Sequence, residues 1–188
     1  MKKGFTLIEL LIVVAILAIL ATAVVLVLNP AQLLAESRDI QRISDLTAVR
    51  SAIALDIVSA TSTVTLGAYR TMATGGQSSD CPFVLSACSI VTSTAISGSG
   101  WVVANLALTT GGSPLSVLPT DPTNDNVTYF YAYAGEDTYK TFELNARLES
   151  VKYRSKMQND GGDDNTCTTD FTDATCFYEI GTDAGLDL

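Results

Sequence analysis

The chain contains no histidine and is short of basic residues. Among its 188 residues, 11 lysines and arginines stand against 20 aspartates and glutamates, which gives a net charge of −9. The absence of histidine removes the commonest general base and the commonest neutral metal ligand. An acidic balance is opposite to that of proteins that bind nucleic acid directly, so we expect no nucleic-acid partner.

Features of enzymes are also missing from the sequence. We find no nucleophile paired with a base, no phosphate-binding loop, and no spacing of carboxylates that selects a catalytic pair. The sequence therefore predicts a protein that is not an enzyme. Apart from the calcium site considered below, no cofactor is expected.

One long apolar segment dominates the N-terminus. Lys2 and Lys3 are followed by Gly4, and residues 5–28 are then apolar apart from two threonines and one acid, Glu9. About 20 apolar residues are enough to span a bilayer. The two lysines predict that the N-terminus faces the cytoplasm and that the rest of the chain lies outside. No Ala-x-Ala boundary leads into a polar mature start, as it would after a secretory signal.

Glu9 is the one charged residue inside this apolar segment. A charged side chain at the centre of a membrane helix costs about 2.5–3.5 kcal/mol even on the scale from insertion experiments. A chain that keeps a carboxylate there is expected to supply a partner for it. The plainer alternative is an ordinary membrane anchor whose acid lies close to the interface with water.

Residues 3–9, Lys-Gly-Phe-Thr-Leu-Ile-Glu, resemble the class III signal of type IV prepilins and their relatives. These relatives include the pseudopilins of type II secretion and of competence systems. The resemblance implies that a membrane prepilin peptidase cleaves between Gly4 and Phe5 and methylates the new amino terminus. Glu9 matches the glutamate of the family's N-terminal helix. It can neutralise the Phe5 ammonium of a neighbouring copy, because their attraction is strong in apolar surroundings.

The helical pattern continues beyond the apolar segment, although Asn29 and Pro30 interrupt it. Further on, apolar residues recur at spacings of three and four, which predicts one buried helix face. These residues are Ile40, Ile43, Leu46, Val49, Ile53 and Ile57. A helix over residues 5–58 would be about 80 Å long at about 1.5 Å per residue, which is too long for the rest of the chain to bury. This length favours assembly with other copies.

The chain is expected to have three parts. They are a leader at 1–4, a helix at 5–58 whose transmembrane and assembly segment is about 5–28, and a globular head at 59–188. In the head, β-rich runs predict a short strand near 64–66, a strand at 101–108, and a hairpin formed by 127–134 and 139–148. We therefore predict an α+β fold in which the second half of the helix packs on an antiparallel sheet of about four strands. The resemblance identifies this arrangement as the pilin fold.

Alternation along the hairpin predicts which side chains face the helix. The helix-facing set is expected to be Phe130, Ala132, Ala134, Phe142, Leu144, Ala146 and Leu148. The tyrosines at 129, 131 and 133 are then expected to point the other way, under partial cover from loops. Residues 119–122, Pro-Thr-Asp-Pro, resemble a turn found before the sheet of many pilins and predict a rigid entry to the hairpin.

The four cysteines predict disulfides, since an even number in an exported chain favours pairing. Three connectivities are possible, and we favour the two local ones, Cys81–Cys88 and Cys167–Cys176. The second of these resembles the disulfide-bounded region of many type IV pilins. Zinc is not expected, because the chain has neither a Cys-x-x-Cys pair nor a histidine.

An acidic turn precedes the second pair of cysteines. Its oxygen-bearing side chains include Asp160, Asp163, Asp164 and Asn165, and Asp170 and Asp173 follow between the cysteines. Hard oxygen ligands clustered on a glycine-containing turn suit calcium. The major pseudopilins have a calcium loop in about this place, so the resemblance adds some support for a calcium site. A solvated loop without metal is still the leading expectation for this turn.

These features together predict a structural subunit of a type IV pilus, assembled with copies of itself after cleavage by prepilin peptidase. Its other expected partners are the pilus assembly machinery and, before assembly, the inner membrane, which the precursor crosses once. The filament is expected to be extracellular. The alternatives are a pseudopilin of a type II secretion or competence system, which the acidic turn favours, and a minor tip subunit that acts as a binding module. The cysteines favour the pilus.

Overall fold

The computed structural model of the protein describes residues 4–59, 64–72, 81–83, 88–125, 128–167 and 176–188. The chain divides into two compact units, one ending at Ala35 and the other beginning at Glu36. The division into leader, helix and head that the sequence suggests stays a prediction.

Two helices open the chain. α1 spans Leu7–Leu28 and α2 spans Pro30–Ser59. Between them, Asn29 has a φ of 38°, in the left-handed region that Asn tolerates better than most residues. Proline suits the start of α2, because its missing N–H would have no partner within the helix at that position. The predicted interruption is therefore a break of one residue.

α1 is apolar on all sides. Its described side chains are exposed, and Glu9 is its one charged residue. Within the described residues, a single helix is long and apolar enough to cross a membrane, and its apolar window covers 19 residues, Leu7–Val25, with none of them buried. A helix without a polar face has no side that prefers water, so it needs cover from lipid or from other apolar surfaces.

The second unit contains a five-stranded sheet with the strand order β2-β1-β3-β4-β5. The strands are β1 (Ala68–Thr71), β2 (Ser89–Ile90), β3 (Tyr131–Glu136), β4 (Thr141–Ala146) and β5 (Tyr178–Gly181), and a short helix α3 (Arg154–Met157) precedes β5. β3 and β4 form the predicted hairpin, and β1–β3 and β4–β5 are antiparallel as well. β1 and β2 are parallel.

The α+β class predicted from the sequence is confirmed, and the architecture is consistent with the pilin fold. Four strands, β1, β3, β4 and β5, form the predicted antiparallel sheet, and the structure adds β2 as a fifth strand in parallel to β1. Parallel neighbours need a crossover rather than a tight turn. Residues 72–88 connect β1 to β2 and are long enough to provide it. The pairing of two short strands across such a connection leaves no local pattern in the sequence.

The tyrosines of β3 face the helix, which reverses the predicted orientation of that strand. Tyr131 and Tyr133 pack in one core cluster with Leu46 and Leu144. The other face of β3 carries Phe130, Ala132 and Ala134, in a separate cluster with Phe83 and Phe177. The reason is the register of the hairpin, in which Tyr131 pairs with Ala146 and Tyr133 with Leu144. Directly paired residues share a face, so a shift of one position reverses the strand.

The polar ends of these tyrosines find partners in the core. The Tyr131 hydroxyl donates to Oδ2 of Asp45 (2.9 Å), and the Tyr133 hydroxyl donates to the carbonyl of Leu66 (2.8 Å). Because both hydroxyls are hydrogen-bonded, burying the rings does not leave a polar group unpaired.

The strand predicted at 101–108 is absent, and this segment is a packed loop. It contains an isolated bridge from Asn105 to Ser97 and a 3₁₀ turn at Leu106–Leu108. Trp101 is fully buried and its Nε1 donates to the Pro119 carbonyl (3.0 Å). Several apolar residues of this loop point into the core. Their spacing in the sequence therefore resembles the alternation of a β-strand. Similarly, β1 begins at Ala68, just after the strand predicted near 64–66.

A buried arginine of α2 holds the helix against the head. Arg42 is fully buried and binds Asp121 with two nitrogens, Nε to Oδ2 at 2.6 Å and Nη2 to Oδ1 at 3.0 Å. Its Nη1 lies 3.0 Å from Oδ1 of Asp39 and 2.6 Å from Oε1 of Glu149. Asp121 also accepts the backbone N–H of Thr123 (2.8 Å), as expected for the predicted rigid turn. One guanidinium thus joins α2 to the segments before β3 and after β4.

Replacing Arg42 by Ala should destabilise the head by about 3–5 kcal/mol, because three carboxylates would lose their buried counter-ion. Arg38→Ala is the matched control, since Arg38 is part-exposed and pairs with Glu149 alone, and it should cost about 1 kcal/mol or less. Unfolding of the full chain in detergent can be followed by the fluorescence of Trp101, the single tryptophan. Equal effects of the two substitutions would contradict the central role of Arg42.

Candidate functional site

The N-terminal segment is built around a hydrogen-bonded box between Thr6 and Glu9. Thr6 is the N-cap of α1, and its Oγ1 accepts the backbone N–H of Glu9 (3.3 Å). In return, Oε2 of Glu9 accepts the Thr6 backbone N–H (2.9 Å) and the Thr6 hydroxyl (2.8 Å). This is the capping box that a Thr-x-x-Glu sequence before an apolar run specifies. It fixes the carboxylate of Glu9 at the first turn of α1.

The predicted cleavage site lies just before this box. Gly4 and Phe5 precede the helix and are exposed, Phe5 by 83% of its surface. Among the described residues beyond its chain neighbours, none lies within 4 Å of the position that a Cβ on Gly4 would occupy. The bond between Gly4 and Phe5 is therefore open to a protease. The pairing of Glu9 with the Phe5 ammonium of another copy stays a prediction, since it concerns two chains.

Thr6 is a residue that the sequence analysis did not single out. The sequence pattern could have identified it, because a Thr followed by Glu three residues later and then by an apolar run is typical of a helix N-cap. Thr6 holds the carboxylate that the assembly hypothesis requires, so the helix start and the predicted contact share one residue pair.

Both local pairs of cysteines are disulfide-bonded in the structure. Cys81–Cys88 has a Cα–Cα distance of 5.4 Å, and Cys88 lies in the apolar cluster on the outer face of the sheet. Cys167–Cys176 has a Cα–Cα distance of 4.9 Å, and Cys176 packs with Leu148 and Met157. The second bridge therefore fixes the end of the acidic turn next to the start of β5.

The four predicted calcium ligands are not gathered around one point. Asp160 accepts the backbone N–H of Glu179 (2.9 Å) and that of Gly162 (3.2 Å), whereas Asp163 and Asn165 are exposed. Among the described residues, no group of three or more acids or cysteines is placed to hold a metal. Asp170 and Asp173 lie outside the described residues.

Two acids that the sequence analysis missed lie buried beside this turn. Glu143 of β4 and Glu179 of β5 are each 2% exposed. Glu179 pairs directly with Asn145 in the sheet and accepts the backbone N–H of Asp164 (3.0 Å). No sequence signal indicated them, because β-strand acids are usually solvated and only the pairing of β4 with β5 brings these two together.

Burial changes the proton affinity of this acidic cluster. It raises the pKa of Glu179, and the nearby charges of Glu143 and Asp164 raise it further. Burial likewise raises the pKa of Glu143. The pKa of Asp164 rises to about 7 through burial and the charges of Asp163 and Glu143. The cluster therefore retains protons near neutral pH.

Residues 1–25 match the prokaryotic N-terminal methylation motif. The match supports a class III signal of the type IV pilin-like family, which pilins and pseudopilins share. It covers the leader, the Thr6–Glu9 box and most of α1, and the signal implies processing by prepilin peptidase and handling by a pilus-type machinery. It also accords with a structural precursor rather than an enzyme. No curated protein and no solved structure matches the chain.

The stability of the head should fall as the pH rises from 5 to 8. The folded Asp164 carboxyl has a pKa of about 7, while the unfolded one has a pKa near 4, so the folded state binds more protons in this range. We expect Asp164 alone to contribute a loss of about 2–3 kcal/mol. Glu179→Gln should reduce the total loss, because the pKa of the folded Glu179 carboxyl is raised as well and this group also keeps its proton on folding. Unfolding followed through Trp101 at both pH values measures the change.

Glu136→Gln provides the control for this pH dependence. Glu136 accepts the backbone N–H groups of Thr138 and Tyr139 in the exposed hairpin turn, and hydrogen bonds from this turn lower its pKa. Its titration lies below the pH range tested, so this variant should keep the wild-type slope. A free energy of unfolding that rises between pH 5 and pH 8 would contradict the account of the acidic cluster.

Calcium binding at the acidic turn stays a prediction, and it has a direct test. At pH 8 the carboxyl of Asp164 is largely ionised, so a bound calcium ion should raise the melting temperature of the protein relative to a sample in EDTA. Asp163→Asn and Asp164→Asn should reduce this shift. Equal melting temperatures in calcium and in EDTA would remove the calcium site.

Proposed function

We propose that this chain is a structural subunit of a type IV pilus. The observation that carries the proposal is the position of Glu9, which the capping box holds at the exposed start of an apolar helix, next to the open Gly4–Phe5 bond. Cleavage of that bond would place a free ammonium on Phe5. The same short segment would then hold one positive and one negative charge in apolar surroundings.

The two charges favour assembly because each of them is energetically unfavourable in the membrane when it has no partner. In hydrocarbon, an isolated ammonium or carboxylate is strongly unfavourable, and the two attract each other strongly. The carboxylate of Glu9 in one copy and the ammonium of Phe5 in the next can form an ion pair between the two chains. Such a contact uses different surfaces on the two copies, and a contact of this kind that does not close into a ring produces a helical filament.

The remainder of α1 supports the same proposal. Its residues from Leu7 to Val25 are apolar and none is buried within the chain. Lipid of the inner membrane would cover them before assembly, and the helices of other copies would cover them in an extracellular filament. Prepilin peptidase and the assembly machinery are the further partners that this sequence of events requires.

A pseudopilin of a type II secretion or competence system is the second candidate. The acidic turn at 159–165 favours it through its resemblance to the calcium loop of the major pseudopilins. The two disulfides favour the pilus, since major pseudopilins usually lack cysteines. A minor tip subunit that acts as a binding module would share the same N-terminal segment.

Glu9→Gln is the substitution that separates assembly from capping. Glutamine can still accept the hydrogen bonds from Thr6, so α1 should start normally, but the charge is lost. We expect the variant to be made, cleaved after Gly4 and methylated at Phe5, yet to form few or no filaments. Intact mass of the membrane fraction reports the processing, and electron microscopy of sheared cell surfaces reports the filaments.

Two further variants complete this experiment. Glu9→Ala removes both the charge and the cap, and it should fail in the same way as Glu9→Gln. Thr6→Ala keeps the charge and weakens the cap, at a cost of about 1 kcal/mol to the helix start, so it should retain filaments. Normal filaments from Glu9→Gln would sink the charge-pairing mechanism.

A further inference from the structure

A pocket open to solvent lies along β5, the strand at one edge of the sheet. Its volume is about 480 Å³, which is within the range of pockets that bind small molecules. Arg50 of α2, Lys156 of α3 and Tyr178 of β5 are among the residues that line it. All of its lining residues belong to the second unit, which begins at Glu36. This cavity is called the β5 pocket below.

The β5 pocket contains two cations that the described part of the chain does not neutralise. No ion pair involves Arg50 or Lys156 among the described residues. This is unusual for a chain in which 20 acidic residues outnumber 11 basic ones. Arg50 is nevertheless fixed in position, since its Nε donates to the carbonyl of Gly181 (3.2 Å). Its terminal nitrogens can donate to a bound anion, and the fixed side chain loses little freedom when they do.

The pocket also contains acids, which restrict the kind of anion that it can take. Asp160 accepts the backbone N–H of Gly162 (3.2 Å) and that of Glu179 (2.9 Å). Its oxygens have further lone pairs, so they can also accept hydroxyl groups of a ligand. Asp183 adds a second carboxylate to the lining. Two acids disfavour a phosphate or a sulfate, whose charge they would repel, but they favour a ligand that is rich in hydroxyl groups.

The hydroxyl of Tyr178 lies close to charges of both signs. Burial raises its pKa, the charge of Asp160 raises it further, and the charge of Arg50 lowers it. The hydroxyl, the carboxylate and the guanidinium are therefore near one another in the pocket. This combination suits a hydroxylated molecule with one negative charge, because donors and acceptors are available side by side.

A sugar acid has this chemistry. Its carboxylate would pair with Arg50 and Lys156, and its hydroxyl groups would donate to Asp160 and Asp183. An acidic peptide offers the carboxylates but not a ring of hydroxyl groups. We propose that the β5 pocket binds a uronate, either as a free sugar acid or as one residue of an acidic polysaccharide. The inference goes beyond the proposed function and does not rest on it, because the pocket lies within one copy and needs no filament.

Isothermal titration calorimetry with trigalacturonate tests the β5 pocket. The full chain is titrated in detergent with EDTA present, so that no calcium ion links the sugar to the protein. The matched control is the fully methyl-esterified trimer, which keeps the hydroxyl groups and loses the charge. We expect trigalacturonate to bind and its methyl ester to bind about tenfold more weakly or not at all. No binding of trigalacturonate, or equal binding of the two, would overturn the proposal.

Two substitutions test whether this binding uses the cations of the pocket. Arg50→Gln and Lys156→Gln should each weaken trigalacturonate binding about tenfold, because each removes a charge-assisted hydrogen bond. Lys152→Gln is the matched control, since Lys152 is an exposed lysine that pairs with Glu36 and does not line the pocket, and it should keep the wild-type affinity. Trp101 fluorescence verifies that each variant is folded. Wild-type affinity in both pocket variants, or an equal loss from Lys152→Gln, would overturn the proposal.

Further titrations identify the source of the uronate. Lys156 and Gly161 of the pocket lining are exposed, so a polymer can place one residue in the pocket while its neighbours stay in water. If the ligand is a polysaccharide, trigalacturonate should bind more tightly than the galacturonate monomer, whereas equal affinities identify the free sugar acid. Triglutamate and inorganic phosphate should bind more weakly than trigalacturonate. Tighter binding of either would assign the pocket to a different ligand and overturn the proposal.

Discussion

The position of α2 on the head depends on the guanidinium of Arg42. This group is buried among Asp39, Asp121 and Glu149, which come from α2, from the turn before β3 and from the segment after β4. An arginine can satisfy three carboxylates at once because its donors form a rigid planar fork. Moving any of these segments away would leave a charge buried without a partner, so the three are fixed together. The inward direction of the Asp39 and Arg42 side chains follows from this arrangement.

The parts of the fold that were predictable are those with local causes. The apolar run of α1, the break at Asn29 and Pro30, and the β3–β4 hairpin each follow from composition and spacing within a short window. The orientation of β3 was not predictable in this way. It depends on the register of pairing, and a shift of one residue exchanges Tyr131 and Tyr133 with Ala132 and Ala134. The loop at 101–108 was mistaken for a strand because buried loop residues can alternate as strand residues do.

The candidate site likewise contains residues that are neighbours in the sequence and residues that only the fold brings together. Gly4, Phe5 and Glu9 lie within six residues of each other, so their chemistry could be read directly from the sequence. Only Asp39, one helical turn from Arg42, is close to it in the sequence, while Asp121 and Glu149 meet Arg42 through the tertiary fold. Glu143 and Glu179 are equally hidden, since only the pairing of β4 with β5 makes neighbours of them. Contacts between distant segments are set by the whole fold and leave no local pattern.

The free edges of the sheet have a consequence for the solubility of the heads. β5 lies at one edge, and two groups along it are already occupied, the N–H of Glu179 by Asp160 and the carbonyl of Gly181 by Arg50. β2, at the other edge, is only two residues long. Exposed strand edges invite the addition of a strand from another molecule, which leads to aggregation. With its edges capped or short, the head resists this strand exchange even when many copies are crowded together.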